Sequence, residues 1–359
     1  MKSINRILYL FMIFGLLTSS NAGTVFAGGP IKASVADLKS IDVNIQRNAD
    51  RGTIDKLQTP GRSSKTIARQ NAEHLVALMR MRRLFPAGHR RVVAYAGMKY
   101  DAQGKPRIKE MIDRLKNLGV NCYSYLIDSH SVAELDALPE FCQLALEVHL
   151  EVWVVLVPPS EEPGLQHGSR MRYPPYGLDY QKWAEAIGQV SRTHHNLTLL
   201  MIDDFLYNTN YFTPDYVKKI HAILERENPK LLLGVTIYEN QLHNMEEIRH
   251  YIPYVNAVEW GYQHKASLSP SYGISAASLP GNINEFARIF PDAVLIPCIY
   301  FTPHSSWSRE ATPIYLKATM TIAYRQAGVV LVFRTPYRDT RRYELVKKFC
   351  SRHILSHDK

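Results

Sequence analysis

Between Arg91 and Pro336 the chain repeats one pattern eight times: a short apolar, β-rich run followed by a longer polar stretch with helical periodicity. The runs are RVVAYAGM (91–98), VNCYSYLI (120–127), EVWVVLVPP (151–159), LTLLMIDDF (197–205), LLLGVTIY (231–238), VNAVEWGY (255–262), AVLIPCIYF (293–301) and GVVLVFRTP (328–336). Strands that are apolar throughout, rather than alternating, are buried on both faces, which is the condition of a parallel sheet covered by helices. The stretches between them include RIKEMIDRLKNLG and TPDYVKKIHAILERENP, and in the second Thr213 suits the N-cap and Pro214 the first helical turn. Eight such units in roughly 260 residues fit an α/β fold of one domain, the (β/α)8 TIM barrel. An open doubly wound sheet is the alternative. It lacks its usual marks, because Gly97-Met98-Lys99 follows the first run where GxGxxG would be expected, and no P-loop occurs.

The barrel domain is expected over 63–359, with a leading helix near 64–84 that places Ile67, Leu75, Leu78, Met79 and Leu84 on one face. Ahead of it, residues 28–62 are polar and weakly patterned and read as a linker or flexible extension. Residues 1–27 have the three parts of a secretory signal peptide: Lys2 and Arg6, the apolar run ILYLFMIFGLL, then small residues to Ala22 or Ala27. That run is short for a membrane span, so the expected product is secreted or periplasmic and leaves the membrane on cleavage; an uncleaved anchor is the alternative. Losing Lys2 and Arg6 takes the formal charge from +10 to +8. Its basic residues are scattered, with clusters at Arg80, Arg82, Arg83, Arg90 and Arg91 and at Arg338, Arg341 and Arg342. An exported basic surface attracts anionic polysaccharide at long range, or is simply well solvated. No nucleic-acid-binding motif accompanies the charge. Cys122, Cys142, Cys298 and Cys350 form no CxxC pair and no zinc spacing. Cys122 and Cys298 lie inside runs and read as buried thiols, and spacing assigns no disulfide. No cofactor motif is present.

In such a barrel the active site is built where strands finish. The run ends offer Lys99 and Tyr100; Asp128, Ser129 and His130; Glu161 and Glu162; Asp203 and Asp204; Tyr238, Glu239 and Asn240; Glu259, Trp260 and Tyr262; Tyr300, His304 and Trp307; and Arg334 and Tyr337. Carboxylates framed by aromatic rings suit a sugar site. Rings stack on pyranose faces, and carboxylates handle the proton and the oxocarbenium charge. A metal hydrolase would usually place HxH on the first strand, which here reads Ala94-Tyr95-Ala96. The adjacent pair Asp203-Asp204 is the focus, because Thr213 rather than either aspartate caps the next helix. Two carboxylates this close cannot both ionise freely, so one becomes a candidate general acid beside a charged neighbour. The accompanying candidates for substrate binding are Asp128, Tyr238, Glu239, Glu259, Trp260, Tyr300 and Arg334.

An apolar strand four closed by Asp-Asp, here LLMIDDF, resembles the family 84 glycoside hydrolases, the hyaluronidase and O-GlcNAcase type N-acetylglucosaminidases. RLKNLGVNCYSYLIDS is similar to the family's helix and Asn-x-Tyr strand two, and GVTIYEN to its strand-five motif, with Thr236 and Tyr238 in register. The resemblance implies that the substrate's acetamido oxygen is the nucleophile, that Asp203 orients the acetamido group and that Asp204 is the general acid/base. It departs from the family after strand two, at Asp128-Ser129-His130, on strand six, at Glu259-Trp260-Gly261, and after strand seven, where the family's asparagine has no counterpart. Three other readings stay open. Asp204 could work with Glu239 or Glu259 as nucleophile or base. The barrel could bind carbohydrate without catalysis. Asp128, Asp203, Asp204 and Glu239 could hold Mg²⁺ or Ca²⁺ for a lyase or hydrolase.

Overall fold

The eight runs become eight parallel strands that close on themselves in chain order, β1 pairing with β8. The computed structural model describes residues 90–354 except 129–131, 162–173, 239–240, 242–244, 263–275, 303–310 and 336–339. The leading helix, the extension and the signal segment lie outside the described residues. Along the chain come β1 (Arg91–Tyr95), α1 (Ile108–Leu118), β2 (Cys122–Ile127), α2 (Ala133–Glu147), β3 (Glu151–Leu156), α3 (Tyr180–Thr193), β4 (Leu197–Ile202) and α4 (Pro214–Glu227). They are followed by β5 (Leu232–Thr236), α5 (Met245–Arg249), β6 (Ala257–Tyr262), α6 (Leu279–Ile289), β7 (Val294–Tyr300), α7 (Pro313–Gln326), β8 (Val329–Phe333) and α8 (Arg341–His353). This is the (β/α)8 barrel expected from the eightfold pattern. Thr213 caps α4 as read, its hydroxyl oxygen accepting from the Tyr216 N–H at 3.3 Å.

Each strand shows one set of side chains to the barrel axis and the other to the helices, because successive residues point to opposite faces. Val93, Tyr95, Trp153, Val155, Leu199, Met201, Ile296, Cys298 and Leu331 fill the interior. Gly234 makes room there: a Cβ at that position would sit 2.1 Å from the Met201 sulfur. The outward set packs under the helices in a second, larger core. At the N-terminal end of the strands the interior is closed by polar groups. Glu151 accepts from Arg91 Nε at 2.6 Å, Trp153 Nε1 at 2.9 Å and Thr198 Oγ1 at 2.5 Å. All four cysteines are buried free thiols. Asn196, the asparagine of an Asn-Leu-Thr sequence, is buried with its amide donating to Cys142 O and Leu150 O.

Candidate active site

At the end of β4 the two aspartates separate by backbone conformation. The Asp203 N–H still reaches Leu156 O of β3 at 3.0 Å, so the residue continues the inward series Leu199, Met201, Asp203. Alternation would send Asp204 outward. Instead its backbone turns left-handed, with φ 44° and ψ 38°, and its carboxylate oxygen Oδ1 accepts from the Tyr238 hydroxyl at 2.6 Å. A left-handed non-glycine residue costs roughly 1–2 kcal/mol, and aspartate is among the few residues that tolerate it. Three further contacts hold the turn. The Asp204 N–H donates to Asp203 Oδ1 at 2.8 Å, and its carbonyl accepts from Asn208 Nδ2 at 2.9 Å and from the Tyr207 N–H at 3.2 Å. Asn208 is itself buried and locked to the turn Pro159–Glu161 that follows β3, accepting from the Ser160 N–H at 2.9 Å and donating to Ser160 Oγ at 3.0 Å. Strain held by this many contacts is the usual condition of a working site.

Asp203 faces a buried cluster inside the barrel. Tyr95 of β1, Glu259 of β6 and Cys298 and Tyr300 of β7 are all held above their ordinary pKa values, first by burial and then by neighbouring charge that includes Asp203. Tyr238 is raised for the same reasons, burial leading. Glu259 is pushed up to about 8 by burial and the Asp203 charge, partly offset by a hydrogen bond with Cys298. At neutral pH its carboxyl is therefore held mainly in the protonated form. Glycine at 261 lets the Tyr300 ring lie flat on β6, since a Cβ there would stand 2.8 Å from Tyr300 Cε2. Tyr300 and Tyr95 flank Phe333, with ring centroids 4.3 Å and 5.2 Å from it. The Arg334 guanidinium sits 5.5 Å above the Phe333 ring from a left-handed residue, φ 54°.

Of the candidates read from sequence, Asp203, Asp204, Tyr238, Glu259 and Tyr300 are brought together. Asp128 and Arg334 are exposed at the same end of the barrel, after β2 and β8. Trp260 is a correction. It is fully buried on the outer face of β6, its ring stacked on Phe286 of α6 at 4.2 Å and 15°, so it packs the barrel to its helix layer and cannot meet a substrate. Glu259 takes the inward position that Trp260 loses by alternation. Glu239 lies outside the described residues, as do Ser129, His130, Glu162, Asn240, His304, Trp307 and Tyr337. Among the described residues no three of His, Cys, Asp and Glu converge as a metal site. Sequence reading missed Tyr95, Cys298, Asn208 and Tyr207. Tyr95 and Cys298 lie on other strands than the carboxylates, and only the register of the closed sheet brings them to the same interior. Asn208 and Tyr207 carry no signal beyond their closeness to Asp204.

No protein-family model and no curated protein matches the chain. Its structure is similar to solved glycoside hydrolases. The exo-β-1,4-mannosidase Op5Man5 from Opitutaceae bacterium strain TAV5 superposes with a TM-score of 0.56 and 13% identity, over 75% of this chain and 61% of that one. The β-galactosidase from the psychrophilic Marinomonas ef1 gives 0.54 and 8%, over 75% and 60%. The GH2 β-galacturonidase from Eisenbergiella tayi gives 0.51 and 13%, over 74% and 51%. The match thus spans less than two thirds of each of these proteins, and at such identities the likeness is one of fold.

Proposed function

We propose that the protein is an exported glycoside hydrolase acting on a polysaccharide or glycoconjugate, with Asp204 as general acid/base and Asp203 as the residue that orients substrate or stabilises charge. One observation carries this reading. The left-handed turn brings Asp204 to the barrel mouth and into a hydrogen bond with Tyr238, while Asp203 faces inward, so two neighbours in sequence take two different positions in one site. The similarity to glycoside hydrolase barrels supports the same class.

Such a pair does the following work. Asp204, protonated, gives its proton to the glycosidic oxygen as the bond from that oxygen to the anomeric carbon breaks. The positive charge developing on the sugar is stabilised by Asp203. In the finer reading, motivated by the resemblance to family 84, the sugar carries a 2-acetamido group whose N–H is held by Asp203 and whose carbonyl oxygen attacks the anomeric carbon, forming an oxazolinium ion. Asp204, now a carboxylate, takes a proton from water as the water oxygen bonds to the anomeric carbon and the acetamido oxygen leaves, with overall retention. The Tyr238 hydroxyl holds Asp204 in place through both steps. A scheme with Glu259 as nucleophile is disfavoured at neutral pH, because that carboxyl keeps its proton.

Asp204→Asn is the decisive variant. Asparagine also tolerates the left-handed turn, so the backbone survives while the proton is lost. On a panel of oligosaccharides, hydrolysis should fall by about a hundredfold to ten-thousandfold, with the folded state unchanged by circular dichroism. Activity that survives the substitution would sink the assignment. Tight glycan binding by wild type without turnover would instead make this a carbohydrate-binding barrel.

A further inference from the structure

The turn that carries Asp204 also carries exposed aromatic rings that the reacting sugar does not need. Among the described residues four large apolar or aromatic side chains are exposed: Val132, Tyr207, Tyr211 and Ile314. All four follow the C-terminal ends of strands, and two of them stand in the turn that follows the aspartates. Tyr207 is three residues beyond Asp204, its N–H donating to the Asp204 carbonyl at 3.2 Å. Its ring lies 5.7 Å from that of Tyr238 at an angle of 39°, and the Tyr238 hydroxyl is bound to the Asp204 carboxylate. The rings around the acid therefore form a gradient of depth: Tyr300 is 6% exposed, Tyr238 is half-buried and Tyr207 is 53% exposed. A ring half-exposed beside the acid and held near a second ring offers apolar surface that a bound ligand can cover.

We infer that Tyr207 is the platform of a leaving-group subsite, which stacks on a pyranose residue attached through the oxygen that Asp204 protonates, so that the substrate is an oligosaccharide or longer glycan. This rests on the glycosidase reading and extends it. The reacting sugar must sit deep, over Asp203 and Tyr300, for its anomeric carbon to face the carboxylates. The glycosidic oxygen then lies at Asp204, and whatever it carries continues towards the rim, where the Tyr207 face is presented. A flat, amphipathic ring with two rotatable side-chain bonds suits the apolar face of a pyranose at small entropic cost.

Matched substrates separate this inference from the reading beneath it: an oligosaccharide that wild type cleaves, and the glycosyl fluoride of the same reacting sugar. Fluoride occupies no leaving-group subsite and departs without a proton from the enzyme. For Tyr207→Ala, the ratio of kcat/KM on the oligosaccharide to kcat/KM on the fluoride should fall by about tenfold or more. Tyr207→Trp, which keeps a stacking face, should hold that ratio near the wild-type value. An unchanged ratio in Tyr207→Ala overturns the subsite and leaves the glycosidase reading standing. Equal losses on both substrates overturn it too, since they would place the defect at the reacting sugar. The methyl glycoside of that sugar needs the Asp204 proton but brings no second pyranose, so Tyr207→Ala should leave its kcat/KM near wild type; a loss equal to that on the oligosaccharide would mean that Tyr207 acts only by supporting Asp204, and overturns the subsite. Asp204→Asn supplies the other arm: kcat/KM on the oligosaccharide should fall, while kcat/KM on the fluoride, set by a departure that needs no proton, is retained even as kcat falls for want of the base. Loss of neither, or no cleavage of any glycan by wild type, overturns both readings.

Discussion

The most informative single residue is Glu259, because its chemistry is set by where it stands. It is buried inside the barrel beside a second carboxylate, and ionising it there would place two like charges together out of water. Its carboxyl is raised to about 8, against about 4.3 for an exposed glutamate. The sign of the consequence follows from proton counting. Between those two values the native state holds a proton that the unfolded chain has released, so stability falls as pH rises across that window and levels off above it. Glu259→Gln keeps the size and the capacity to hydrogen-bond but cannot ionise. It should flatten the decline, and the difference in unfolding free energy between variant and wild type should grow from pH 5 to pH 8 in favour of the variant. Urea titrations at several pH values check this. A difference that is constant with pH would show that Glu259 ionises normally. The comparison must be made between the two proteins, since other carboxylates and histidines titrate in the same range.

At the scale of elements, the β4–α4 connection carries the site. Asp204 adopts a conformation its neighbours must enforce, and Asn208 contributes by bonding both the Asp204 carbonyl and Ser160 in the turn after β3. Asn208→Ala removes both ends of the brace from a buried position and leaves the Ser160 N–H without this acceptor. The expected cost is about 1–3 kcal/mol of stability, read as a lower urea midpoint. The same variant should lower kcat by more than it raises KM, because the acid rather than the sugar is misplaced. Equal kcat with lost stability would confine Asn208 to folding. This connection also marks where sequence stops being informative. The runs read as strands extend past the last ladder residue, for example to Met98 where β1 ends at Tyr95 and to Tyr238 where β5 ends at Thr236, since β-rich composition does not register the final hydrogen bond. Those overshooting residues make the mouth. Nothing in the residue types announces that Asp204 turns left-handed. Parity was equally hidden on β6, where Glu259 and Trp260 are both buried and only the closed sheet shows which one faces the axis. The order and number of strands were readable because each is apolar on both faces, a property carried by whole segments rather than by single side chains.

The molecule as a whole divides its tasks between the two ends of the barrel. The C-terminal ends of the strands gather strained backbone at Asp204 and Arg334, clustered carboxyls and exposed rings. The N-terminal end gathers paired charge. Glu151 of β3 reaches past β2 to Arg91 of β1 and also binds Thr198 of β4, so one carboxylate links strands that are not neighbours in the sheet. The Arg91 side chain is only 7% exposed, and taking away that carboxylate removes the opposite charge it meets at 2.6 Å in the barrel floor. Breaking a buried pair from one side typically costs about 3–5 kcal/mol, more than a surface pair ever contributes. Glu151→Ala should therefore lower the unfolding free energy by several kcal/mol at neutral pH, while Glu259→Gln raises it. The two changes lie at opposite ends of the same interior, so their effects should add in the double variant within about 0.5 kcal/mol. The pH profile of hydrolysis gives the second measurement: Glu259→Gln should shift it, and Glu151→Ala, at a temperature where it stays folded, should not. A shift of that profile by Glu151→Ala would mean that charge at the floor is felt at the mouth, and that the barrel interior transmits rather than separates its two ends.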